Sequence, residues 1–193
     1  MDKASVYNAA LALLGDYEFR ERAGTQHPCE RWYAHVLRQA NARYNWSFAA
    51  HEKTLRPTAT TEDESIFDYP SDCLTYTRIV NLDTGRPADR PHRVGRFIHT
   101  EPCSAIRLTY TSNALETFQE LPDDMPEYQL AVCELLAARI APAITGNPSL
   151  SPQFESLAEQ HFMQAITRDA QQLASNKQHP LPAILSRNIF DLS

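Results

Sequence analysis

The hydrophobic periodicity of this chain changes twice, from helix to strand near residue 70 and back to helix near residue 125. Before the first change, Val6, Ala10 and Leu13 recur at the spacing of one helix face. Between the two changes, Ile106 and Leu108 alternate with polar neighbours, which is the period of a half-buried strand. This pattern predicts a helical protein that carries an inserted sheet.

Four helices are predicted, at residues 2–14, 28–46, 127–141 and 151–176. Three short antiparallel strands are predicted, at residues 74–80, 94–100 and 105–112. Pro142 is expected to end or kink the third helix, because proline lacks the N–H that the helix needs. Residues 51–65 show no hydrophobic period and are expected to form a surface loop.

The predicted fold class is mainly α, an antiparallel helical bundle that carries a short antiparallel β module. Residues 1–50 and 113–176 are assigned to the bundle, and residues 51–112 to the β-rich insertion. Residues 177–193 are assigned to an extended C-terminal tail. A chain of 193 residues can bury roughly 70% of its unfolded surface, so this arrangement needs no disulfide or metal for stability.

The charge and the cysteine spacing argue against several classes of function. A formal net charge of −6 argues against a surface that grips nucleic acid, which needs clustered Lys and Arg. The four cysteines lie far apart and form no CxxC pair, so reduced and partly buried thiols are expected. No run of about 18 apolar residues is present, so no membrane span is expected.

The residues with metal-binding or nucleophilic chemistry do not form a recognisable motif. His92, His99 and Cys103 are possible metal ligands, but no fourth ligand accompanies them, and structural zinc sites need four. Cys73 or Cys103 with a distant histidine could act as a thiol nucleophile. Buried cysteines and exposed strand or turn histidines are the favoured interpretation, so no metal or cofactor is expected.

Two acidic groups and a set of aromatic residues are further candidate sites. The acidic groups 62–64 and 123–124 lack the ligand spacing of a calcium loop, and solvated loop charge is favoured. The aromatic set could stack on nucleic acid beside Arg31 and Arg38, although packing in a core is favoured. Its members are Trp32, Tyr33, Tyr44, Trp46 and Phe48. No catalytic motif is present, and the chain is not expected to be an enzyme.

The predicted C-terminal tail carries apolar residues that have no helix partner within their own segment. Such residues either fold back on the bundle or dock on another subunit, and the sequence leaves both possibilities open. The candidate partner-binding residues are Ile184, Leu185, Ile189, Phe190 and Leu192.

The order of these segments resembles the head-to-tail connector family of tailed bacteriophages, also called adaptors or tail tubular protein A. The resemblance covers roughly residues 4–175. The matching segments, in chain order, are YNAALALLG at 7–15, WSFA at 46–49, YPSDCL at 69–74, GRFIHT at 95–100, IRLTY at 106–110, LLAARIA at 135–141, TGN at 145–147 and AITRDA at 165–170.

The resemblance implies a structural protein of the virion that is assembled in the cytoplasm of the host bacterium. Members of this family form a ring, usually of twelve subunits, between the portal and the tail nozzle. The ring extends the DNA channel, and the genome passes through it without tight binding. The resemblance implies neither a catalytic residue nor a cofactor. Two alternatives are a phage-associated cell-wall hydrolase that uses the acidic loops and a small DNA-binding module that uses the aromatic set.

Overall fold

The computed structural model describes residues 1–16, 26–112 and 120–178, and it describes residues 175–178 by their backbone alone. Of the described residues, 47% are helical and 24% lie in strands, and the strands form two antiparallel sheets. The fold is therefore an α/β mixture, and the expectation of a mainly α bundle with a small β insertion is wrong. Residues 179–193, which include all five candidate partner-binding residues of the tail, lie outside the described part.

Four α-helices lie in the described ranges, and each begins or ends where local chemistry favours it. They are α1 (Lys3–Leu13), α2 (Pro28–Ala42), α3 (Pro126–Thr145) and α4 (Leu150–Gln178). Asp2 caps α1 by accepting a hydrogen bond from the Ser5 N–H at 2.7 Å. His27 and Glu30 form a capping box at the start of α2. Gly146 ends α3 in the left-handed conformation that glycine favours.

Helix α3 is the centre of the helical half, because it contacts α1, α2 and α4. Its side chains are buried on nearly every face, as the apolar sequence predicted. It continues past Pro142 to Thr145, so the expectation that the helix ends at this proline is wrong, while a kink there stays a prediction. Proline at 142 leaves the Ala138 carbonyl without its helical N–H donor, and the Ser151 hydroxyl of α4 donates to this carbonyl at 2.7 Å instead.

Seven strands lie in the described ranges and form two sheets. They are β1 (Ala50–Leu55), β2 (Ala59–Thr60), β3 (Ser65–Asp68), β4 (Cys73–Asn81), β5 (His92–Val94), β6 (Phe97–Thr100) and β7 (Ile106–Ser112). The first sheet has the order β1-β7-β4 and the second has the order β2-β3-β6-β5, with all pairs antiparallel.

The predicted loop at 51–65 is wrong, because it contains most of β1 and all of β2. Strand β1 is exposed along almost its whole length, so it has no alternation of apolar and polar residues to detect. The predicted strand at 94–100 is instead a hairpin, in which Gly95 turns the chain with a φ of +59°. The alternation in β7 is confirmed for Ile106, Leu108 and Tyr110, which are buried while Arg107 is exposed.

The buried apolar residues form two clusters, one in the helices and one between the sheets. The largest buried side chains of the helical cluster include Trp46, Tyr128 and Phe162. The sheet cluster takes Phe67 and Ile98 from one sheet and Ile106, Leu108 and Tyr110 from the other. The two sheets therefore share one core. The division of the chain into domains at residues 50 and 113 remains a prediction. No helix in the described ranges is both long and apolar enough to cross a membrane.

Candidate functional site

The segment 69–72, which we call the joint, carries the chain from β3 in one sheet to β4 in the other. The Tyr69 N–H donates to the Arg96 carbonyl at 2.8 Å, which extends the pairing of β3 beyond its last residue. The Cys73 N–H donates to the Pro70 carbonyl at 3.0 Å and closes a turn. The joint is therefore a fixed piece of backbone held from both sides.

Asp72 anchors the joint to β7. Its carboxylate accepts hydrogen bonds from the Tyr110 and Ser112 hydroxyls, both at 2.9 Å. Burial by itself would raise the pKa of Asp72, but these hydrogen bonds outweigh it and the pKa lies below its ordinary value. Burial, assisted by the nearby carboxylate, raises the pKa of Tyr110 to about 12. Asp72 thus serves as a charged acceptor that ties the joint to β7.

Asp72→Asn is expected to destabilise the chain at neutral pH, because an amide is a weaker acceptor than a carboxylate. A group whose pKa is lowered on folding adds stability above its unfolded pKa, and this stability is lost as the pH falls through the folded pKa. The melting-temperature difference between wild type and variant should be constant above about pH 5. It should shrink as the pH falls below 3.8, the ordinary value. Thermal unfolding followed by circular dichroism measures this, and a difference independent of pH would contradict the assignment.

A cleft of about 630 Å³, the basic cleft, lies beside the joint. Three cationic side chains and one carboxylate line it, so it carries positive charge in a chain that is negative overall. The lining residues are Lys53, Leu55, Asp68, Tyr69, Pro70, Ser71, Cys73, Arg93 and Arg96.

The cations of the cleft are positioned but not neutralised. The Arg93 guanidinium lies 3.8 Å from the centroid of the Tyr69 ring, and its Nε donates to the Gly95 carbonyl at 2.8 Å. Arg96 lies 3.9 Å from Asp68, and both side chains are largely exposed, so this ion pair neutralises the charge of Arg96 only weakly. Among the described residues, Lys53 has neither a hydrogen bond nor an ion pair, although its charge helps to lower the pKa of Asp72. The arrangement is suited to binding an anionic group.

The thiol at this site has a pKa that disfavours the thiolate. Burial raises the pKa of Cys73, although a hydrogen bond from the Tyr69 hydroxyl opposes the shift. Burial also raises the pKa of Cys103. All four cysteines are buried and free, as expected from the sequence. Because the thiolate is the reactive form, these shifts do not favour reaction of Cys73 or Cys103.

The possible metal ligands do not converge. The rings of His92 and His99 stack across β5 and β6 with centroids 5.2 Å apart. His99 pairs with Glu64 at 3.0 Å, and Cys103 lies 3.6 Å from the Thr100 hydroxyl. In the described ranges, no group of three or more His, Cys, Asp or Glu side chains is arranged to hold a metal ion.

The acidic groups form separate local contacts. Glu64 is engaged by His99, and Asp123 accepts from the Met1 ammonium at 2.8 Å. Glu62 and Asp63 are exposed in the turn between β2 and β3. The two groups therefore lie at different places in the fold, one in a turn between strands and one beside the N-terminus.

The aromatic set packs in the helical core, as the favoured interpretation expected. Tyr33 is buried against the edge of Tyr7, and Trp46 is enclosed by Tyr44, Phe48 and Tyr128. Trp32 is half-buried and contacts His35. The described structure therefore leaves no exposed aromatic platform at Arg31 and Arg38.

Sequence reasoning missed the basic cleft. Its cations lie about forty residues apart, on β1 and on the hairpin of β5 and β6. The one sequence signal for the basic cleft is the pair of arginines, Arg93 and Arg96, on either side of Gly95. A comparison with models of known protein families and with curated protein sequences gave no match.

Proposed function

We propose that this chain is a structural subunit of the bacteriophage virion, a head-to-tail adaptor that forms a ring between the portal and the tail nozzle. In this proposal the ring, usually of twelve subunits, extends the channel through which the genome passes. The chain has no enzymatic role, and the tail residues 184, 185, 189, 190 and 192 are proposed to contact the portal.

The observation that supports the proposal is the structural role of the segments that resemble the connector family. Three of their residues hold elements together over long distances in the sequence. Trp46 fills the helical core, Asp72 ties the joint to β7, and Asp169 ties α4 to the chain just before β1. Such contacts suit a rigid subunit that transmits mechanical force between the portal and the tail nozzle. The contacts themselves contain no reactive centre.

The proposal is tested by mixing the purified chain with the portal protein of the same phage. Electron microscopy should reveal an added ring on one face of the portal, and the particle mass should rise by a whole number of subunits.

A variant that lacks residues 180–193 is expected to keep its melting temperature but to bind the portal more weakly. A chain that leaves the portal unchanged would contradict the proposal. Loss of turbidity on purified peptidoglycan, or salt-dependent binding to duplex DNA, would favour the two alternatives.

A further inference from the structure

The basic cleft and an acidic turn lie at opposite ends of the same sheet. In the pairing of β3 with β6, Asp68 faces Phe97 at the end next to the cleft, and Ser65 faces Thr100 at the other end. The turn between β2 and β3, residues 61–64, leaves the sheet at that second end. The two features are separated by the length of β3, about 13 Å for four residues.

The acidic turn is held in one conformation. The Thr61 N–H donates to the Glu64 carbonyl at 2.8 Å, and the Glu64 N–H donates to the Thr61 hydroxyl at 3.1 Å. Glu64 is engaged by His99, but Glu62 and Asp63 are exposed and have no ion pair with another described residue. The turn thus presents two adjacent acidic residues on a backbone of fixed conformation, which lowers the entropic cost of binding.

The cleft has the chemistry that such a turn requires. The ring of Tyr69 and the Gly95 carbonyl fix Arg93, whose terminal amino groups can donate in parallel to a carboxylate. Lys53 and Arg96 supply two more cations nearby. Charges further away than about 8 Å are largely screened at physiological salt, so the local charges outweigh the overall negative charge of the chain.

We propose that the acidic turn of one copy of this chain, carrying Glu62 and Asp63, docks in the basic cleft of the next copy. The two surfaces are different and lie at opposite ends of one sheet, so the contact is head-to-tail. Contacts of this type close into rings or extend into filaments. The inference rests on the proposed function, in which a ring places copies side by side, and it adds a specific contact between the β modules of neighbouring subunits.

The contact can be tested with a zero-length carbodiimide coupler, which joins an amine to a carboxylate only where the two touch. The chain has three lysines, Lys3, Lys53 and Lys177, and the cleft contains one of them. An equal mixture of unlabelled and nitrogen-15-labelled protein is coupled with and without portal, and the peptides are analysed by mass spectrometry. Coupling of Lys53 to Glu62 or Asp63 between labelled and unlabelled copies is the expected result.

Charge reversal supplies the matched variants. Glu62→Lys with Asp63→Lys reverses the turn, and Arg93→Glu with Arg96→Glu reverses the cleft. Each pair is expected to lower assembly about tenfold or more, because like charges then face each other. Mixing the two variants should restore assembly, because each then offers a complementary surface to the other. Arg31→Glu with Arg38→Glu, which reverses two exposed charges on α2, should leave assembly unchanged.

Each outcome separates this inference from the proposed function. A ring on the portal without the Lys53 coupling, and unaffected by charge reversal, would overturn the docking contact and leave the adaptor role standing. The coupling at high protein concentration, in a chain that ignores portal, would support the contact and overturn the adaptor role. If neither is seen, both fail. One more outcome would overturn the contact by identifying another occupant of the cleft. In that outcome no coupling is seen, and short duplex DNA or inorganic phosphate binds the wild type but not Arg93→Glu with Arg96→Glu.

Discussion

Trp46→Ala is expected to lower the free energy of unfolding by about 3–5 kcal/mol, the usual loss for a large aromatic residue removed from a core. Trp46 has 0% of its surface exposed. Its ring stacks on Phe48 at 5.5 Å and meets the edge of Tyr128 at 4.9 Å, and its indole N–H donates to the Ala40 carbonyl at 3.1 Å. The loss approaches the whole stability of a typical domain, which is about 5–15 kcal/mol.

Urea unfolding followed by far-ultraviolet circular dichroism measures the Trp46 effect. Trp46→Phe keeps most of the volume and removes the hydrogen bond to Ala40, so its loss should be much smaller. Trp32→Ala, at a half-buried position on α2, should also cost less. The chain has two tryptophans, so the fluorescence of Trp46→Phe comes from Trp32 alone and checks that α2 remains folded. A loss below about 1 kcal/mol for Trp46→Ala would show that the core can close around the gap.

Asp169→Ala is expected to lower the free energy of unfolding by about 2 kcal/mol, because hydrogen bonds to a charged acceptor contribute about 1.5–3 kcal/mol. Asp169 is fully buried on α4, and its carboxylate accepts from both the N–H and the hydroxyl of Ser47. Ser47 opens the short 3-10 helix Ser47–Ala49 that leads into β1. The substitution therefore removes the acceptor that fixes the entry to the first sheet.

Thermal and urea unfolding of matched variants test this role. Asp169→Asn keeps an acceptor oxygen and should cost about half as much as the alanine substitution. Thr167→Ala lies on the same helix, where the Thr167 hydroxyl only donates to the Met163 carbonyl, and it should be nearly neutral. Equal effects from Asp169→Ala and Thr167→Ala would mean that the Ser47 contact does not stabilise the chain.

The sequence predicts those elements whose burial follows a regular period. Helix α3 is apolar on nearly every face and β7 alternates, and both lie where the pattern placed them. Strand β1 has no such pattern, since it is exposed and depends on its pairing with β7, which follows about fifty residues later. The missing strands are the reason that a mainly helical fold was wrongly expected.

The basic cleft depends even more on the tertiary structure. The packing of the two sheets brings Lys53 of one sheet near Arg93 and Arg96 of the other. The stacking of Arg93 on Tyr69 follows from the Gly95 turn and the joint. No local spacing of residues in the sequence encodes this arrangement of side chains. The sequence did mark the joint as a point of transition, because its proline and aspartate are typical of turns.

The buried thiols divide evenly between the two cores, with Cys29 and Cys133 among the helices and Cys73 and Cys103 between the sheets. A thiol-specific alkylating reagent reacts with the thiolate, so each cysteine should be modified only after its own core opens. The chain therefore carries built-in reporters of local opening, two in each core. Pulsed alkylation read by mass spectrometry can follow whether the helices and the sheets open in one event or in two, without any engineered label.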